Sequence, residues 1–80
     1  MNKRLSEIEI GKRVEIKYFE NDDLFLKLME MGLVPGEIIL VDQVAPLGDP
    51  ICIKVAGYSL SLRLDEAEGI IVEEEKIIIN

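Results

Sequence analysis

The chain has 80 residues, 49% of them apolar and 31% charged, a balance that suits one small folded domain and excludes a disordered tail. A domain of this size buries only about 60% of the surface its unfolded chain exposes, so a single small core has to serve every element. Sixteen acidic residues against nine basic ones leave a formal charge of −7, which repels phosphate backbones and argues against nucleic acid as a partner.

Histidine is absent, which removes the commonest general base, the commonest transition-metal ligand and every histidine-based triad. The single cysteine, Cys52, has no internal disulfide partner, as expected in a reducing compartment. No apolar stretch follows Met1-Asn2-Lys3-Arg4, and no apolar run approaches the roughly 20 residues of a membrane helix. Neither a signal peptide nor a membrane span is expected, and the expected location is the cytoplasm.

In chain order, Leu5 and Ile8 are three apart in a segment that ends on Gly11, the pattern of a short turn that pins the N-terminus onto the core. Arg13 to Tyr18 alternates polar and apolar residues, which predicts a strand with Val14, Ile16 and Tyr18 on one side. Asn21-Asp22-Asp23 supplies N-cap candidates and negative charge for a helix over Asp23 to Met31. At about 100° per residue, Leu24, Leu28 and Met31 form one stripe of that helix, Phe25 and Met29 flank it, and Leu26 is nearly opposite. This apolar arc is wider than one contact with a small sheet requires. Either the helix is buried on two sides, or part of it is left for a partner.

The segment Leu28 to Glu37 then stops a helix and starts a strand within ten residues. Gly32 is placed as the residue after the helix C-cap, where the left-handed conformation disfavours any side chain, and Leu33 is placed to pack back on Leu28. Pro35 and Gly36 suit the two central positions of a type II turn.

Glu37 to Val44 reads as a strand and Ala45 to Pro50 as a loop. Ile51, Ile53 and Val55 alternate with Cys52 and Lys54, and Tyr58 to Leu64 alternates more cleanly than any other segment. Gly57 marks the tight connection between these two strands, and a type I turn closed by Gly57 as a bulge is expected there. Asp65 to Glu68 resembles a capping box with an acidic N-cap, followed by Ile70-Ile71-Val72 as the last core strand. The tail adds Ile77-Ile78-Ile79, expected to extend that strand along an edge. About five short strands, one inserted helix and one C-terminal helical turn predict a mainly β fold, a small and strongly bent barrel.

Read in this order, the chain resembles the FeoA family, whose domain is an SH3-like barrel. The resemblance is carried by Leu5 and Gly11, by Leu28 with Met31-Gly32-Leu33 and Pro35-Gly36, by the hairpin tip Pro46-Leu47-Gly48-Asp49-Pro50, and by Gly57, Leu62-Arg63, Ala67, Ile70 and Val72. It spans roughly residues 5 to 73 of a single domain, and the pairing of a Gly-Leu-x-Pro-Gly corner with the Pro-Leu-Gly-Asp-Pro tip is its most specific part. One departure is Lys27, where the family often has arginine; lysine does not reproduce a bidentate guanidinium contact. The resemblance implies a non-enzymatic protein that assists ferrous iron uptake by contacting the cytosolic part of a FeoB-type membrane transporter. The same domain type resembles the C-terminal module of DtxR-class metal-dependent repressors, which implies a metal-binding or metal-sensing module as the alternative.

Two candidate surfaces follow. One is the helix flank Phe25, Leu26 and Met29 beside the turn from Leu33 through Pro35 to Gly36, which either closes one end of the barrel or docks a transporter domain or a second copy of the chain. The other is the hairpin tip, where Leu47 is held between Pro46 and Gly48. Gly32, Pro35, Gly36 and Gly57 are expected to be structural turn residues. Fe²⁺ is implied by the resemblance alone, because Cys52 is the one histidine or cysteine ligand the chain offers and the acidic runs read as solvated faces. Ser59 and Ser61 have no histidine to activate them, and two Tyr, two Phe and no Trp are too few rings for a polyproline groove. No catalytic residue is assigned.

Overall fold

The protein is described by a computed structural model over residues 1–75. The isoleucine run at 77–79, expected to extend the last strand, lies outside the described residues. The elements are β1 (Lys3–Arg4), a single 3-10 turn (Leu5–Glu7), β2 (Arg13–Phe19), α1 (Asp22–Glu30), β3 (Ile38–Val44), β4 (Ile51–Val55), β5 (Tyr58–Leu62), α2 (Leu64–Glu68) and β6 (Ile70–Glu74). All six strands form one antiparallel sheet in the order β1-β6-β2-β3-β4-β5.

The alternation read in the sequence becomes the inner face of this sheet. Val14 and Ile16 of β2, Ile39 and Val41 of β3, Ile51, Ile53 and Val55 of β4 and Leu62 of β5 share one buried cluster, with Ile70 and Val72 of β6 beside them. Leu28, Leu33, Leu5 and Ala67 bring α1, its exit, the N-terminal turn and α2 to the same core. Strand β6 is buried at Ile70, Ile71 and Val72 in succession, which explains why that segment reads as an unbroken apolar run.

The N-terminus is pinned as expected, with Leu5 and Ile8 buried. Arg4 fastens it further, its guanidinium pairing with Glu20 and donating to the Glu68 carbonyl at the end of α2. Four expectations are corrected. A sixth strand exists because Lys3 and Arg4 pair with Val72 and Ile71, a ladder that exposed basic residues do not announce. Tyr18 is not on the inner face: a register shift between Ile16 and Tyr18 turns it outward, and it is 51% exposed. The β4–β5 connection is a two-residue turn in which Ala56 (φ 49°) and Gly57 (φ 85°) both have positive φ while Val55 pairs with Tyr58. That is the primed geometry, whose twist suits a tight hairpin, and not a type I turn with a bulge. Finally, the N-cap of α2 is Arg63, two residues before the expected Asp65, with Glu66 Oε1 accepting from the Arg63 N–H at 2.8 Å.

Candidate functional site

Helix α1 is held at both ends by its own sequence. Asn21 Oδ1 accepts from the Leu24 N–H at 2.8 Å, and Asp22 and Asp23 place negative charge in the first turn. At the other end the Leu33 N–H donates to the Leu28 carbonyl (2.9 Å) and the Gly32 N–H to the Met29 carbonyl (3.0 Å), with Gly32 at φ +89°. This is the glycine-terminated ending the sequence predicts. The Glu37 N–H then donates to the Val34 carbonyl (3.1 Å) with Gly36 at φ +96°, the turn expected at Pro35-Gly36. The Gly36 N–H donates to the Ile16 carbonyl (2.7 Å) and the Ile16 N–H to the Glu37 carbonyl (2.9 Å), so β2 fixes the corner in place.

With both ends fixed, the faces of the helix are defined. Leu28 is fully buried, and Leu24 and Met31 pack against the core beside it. Phe25 is half-buried, its ring 5.7 Å from that of Phe19 at an interplanar angle of 47°. Leu26 is 53% exposed and Met29 42% exposed. Past the corner, Val34 and Pro35 are also exposed. Tyr58, at the start of β5, donates its hydroxyl to the Met31 carbonyl at 2.8 Å and lies over Gly32.

Leu33, expected on this surface, is not there. It is 0% exposed, because the backbone bond that ends the helix folds its side chain into the core cluster with Leu28. Leu47 is 94% exposed, but its loop is tied to α2 and not to α1, through Asp49 Oδ1 accepting from the Leu64 N–H at 3.2 Å. Sequence reasoning missed Tyr58, whose approach to Met31 and Gly32 joins two segments far apart in the chain.

Behind the exposed face, Lys27 Nζ meets Glu66 Oε2 at 2.5 Å and ties α1 to α2. Burial pushes the Glu66 carboxyl up, but the Lys27 hydrogen bond, the Arg63 N–H and the charges of Lys27 and Arg63 outweigh it and hold the group below its ordinary value of 4.5.

Cys52 is half-buried with its Sγ 3.9 Å from Ser61 Oγ, and no three His, Cys, Asp or Glu side chains converge among the described residues. This donor set does not fit a dedicated transition-metal centre, which takes several nitrogen or sulfur ligands. No helix of the described residues is long and apolar enough to cross a membrane.

A single curved antiparallel sheet, a helix inserted between its second and third strands and a second short helix before the last strand define a small, mainly β domain of the SH3-like class. The sequence profile of the FeoA domain matches residues 3–74, and the chain belongs to the FeoA family. A curated relative, the Fe(2+) transport protein A/Fe(2+) transporter FeoB fusion protein of Porphyromonas gingivalis, is 42% identical over 71 residues. The match takes in 88% of this chain but only 8% of the relative's length. The solution structure of a FeoA-like protein from Clostridium acetobutylicum aligns at a TM-score of 0.86 and 38% identity, over 99% of this chain and 93% of that one. FeoA from Stenotrophomonas maltophilia, solved with zinc and described as a prokaryotic SH3 domain protein, aligns at 0.74 and 27% identity over 91% and 89% of the two chains. IdeR from T. acidophilum aligns at 0.81 and 26% identity, over 92% of this chain and 34% of that one. The joining of a FeoA segment to an Fe(2+) transporter in the P. gingivalis relative links the family to ferrous iron transport.

Proposed function

We propose that this protein is a non-enzymatic accessory of ferrous iron uptake in the cytoplasm. It docks on the cytosolic part of a FeoB-type transporter through Leu26 and Met29 of α1, with Phe25 at the edge of the patch and Val34 and Pro35 at the corner. The observation that carries this reading is the exposure of Leu26 and Met29 on a nine-residue helix whose opposite face is buried. Covering each such side chain at an interface contributes up to about 1.5–3 kcal/mol, enough for the pair to decide whether a small domain binds. The joining of a FeoA segment to a FeoB transporter in the P. gingivalis relative supports a partner of this kind.

The test is co-purification with the transporter. Leu26→Asp and Met29→Glu should each keep the melting temperature of the unaltered domain and lose most of the retained transporter. Retention equal to that of the unaltered chain would remove the helix from the interface. The resemblance to metal-dependent regulators supplies the competing role, a metal sensor, for which no three donor side chains converge among the described residues. Anaerobic calorimetry separates the two, since stoichiometric Fe²⁺ binding tighter than about 10 μM would favour the sensor.

A further inference from the structure

The proposed docking face carries charge as well as apolar surface. About one turn before Leu26 stand Asp22 and Asp23, and one turn after it stands Glu30, with Met29 between. All three carboxylates are exposed, and none joins an ion pair among the described residues. The helix's one basic residue, Lys27, is engaged with Glu66 on α2. The exposed apolar pair is thus bracketed by acids with no cation of its own element left over.

Helix stability accounts for only part of this bracket. Asp22 and Asp23 sit at the positive end of α1, where carboxylates are favoured. Glu30 is the last helical residue, where a carboxylate meets the partial negative charge of the unpaired terminal carbonyls. It is the wrong sign for its place in the helix, and no described side chain compensates it.

We infer that the occupant of this face is a basic surface: an apolar cleft that takes Leu26 and Met29, flanked on both sides by lysine or arginine. The inference rests on the docking reading above and names the chemistry of the transporter's half of the contact. With a rise of about 1.5 Å per residue, the acids at the two ends of the patch lie about 11 Å apart along the helix axis, which sets the spacing of the cations they would meet. The chain's overall charge of −7 acts in the same direction, speeding encounter with a positive surface.

The test is calorimetric titration of the full chain into the transporter's cytosolic domain at about 50 and about 300 mM NaCl. The dissociation constant should rise about tenfold or more between the two salts. Glu30→Lys should weaken binding at least about fivefold at low salt and far less at high salt. Because a lysine suits the helix C-terminus, its melting temperature should hold or rise, so misfolding cannot produce the loss. Binding that ignores both salt and Glu30→Lys but is abolished by Leu26→Asp would overturn the basic rim and leave the docking face standing. Absence of binding by the unaltered chain at either salt would overturn both.

Discussion

Tyr58 closes the end of α1 from across the fold: its hydroxyl, at the start of β5, donates to the carbonyl of Met31, the helix C-cap, at 2.8 Å. The ring passes over Gly32, whose missing side chain leaves the space that the hydroxyl fills. The corner beside the proposed docking face is therefore made by a glycine for two reasons, a left-handed backbone and a close neighbour.

This pair makes a non-additive prediction. Tyr58→Phe loses one hydrogen bond and should cost about 0.5–1.5 kcal/mol. Gly32→Ala should cost about 1–2 kcal/mol for its positive φ, with a further cost because the new Cβ would run into the Tyr58 hydroxyl. In the double variant that Cβ would face the ring carbon Cζ at 3.6 Å, an ordinary contact. Urea denaturation of the four proteins should show the double variant less destabilised than the sum of the singles. Strict additivity would mean that the hydroxyl does not occupy this space.

Leu33 and Leu47 separate a core leucine from a surface one. Leu33→Ala removes a fully buried side chain from the core and should cost about 2–5 kcal/mol. Leu47→Ala, at a 94% exposed tip, should stay within about 0.5 kcal/mol of the unaltered domain. Thermal melts of both variants check the assignment directly.

Much of the corner is legible in the sequence because turn chemistry is local. Gly32, Pro35 and Gly36 can satisfy few backbone geometries other than the two turns they form, and the alternating strands follow from a period of two. What was not legible depends on partners distant in the chain. The β1 ladder exists because β6 offers it hydrogen bonds, and Tyr18 faces outward because its strand bulges against β6. The site divides along the same line. Periodicity separated Leu26 from Leu28 on one helix, but no pattern within either segment could bring Tyr58 over Gly32.

Ala56 is a position where the chain pays for its hairpin. Its φ of 49° is left-handed, and alanine lacks the side-chain amide that lets asparagine adopt that region more readily. Ala56→Asn should stabilise the domain by about 0.5–1 kcal/mol, raising the melting temperature by a few degrees. A drop in melting temperature would mean that the turn is not of the primed type.

Acid should loosen α2 from α1. The Glu66 carboxyl is held below 4.5 in the folded chain, so its pairing stabilises the fold fully above the unfolded value and is lost as the pH falls through the lowered one. Glu66→Gln removes the charge while its Oε1 can still accept from the Arg63 N–H. The gap in melting temperature between the unaltered chain and this variant should be constant above about pH 5 and shrink as the pH drops below 4.5. A gap that widens in acid would reverse the sign of the coupling.

The most direct measurement is an NMR titration of the isotope-labelled chain with the transporter's cytosolic domain, read residue by residue. Amide shifts should concentrate on α1 at Leu26 and Met29 and at Val34 beyond Gly32, leaving Cys52 and Ser61, a pair toward the other end of β4 and β5, unmoved. Shifts centred on β4 and β5 with α1 silent would contradict the account.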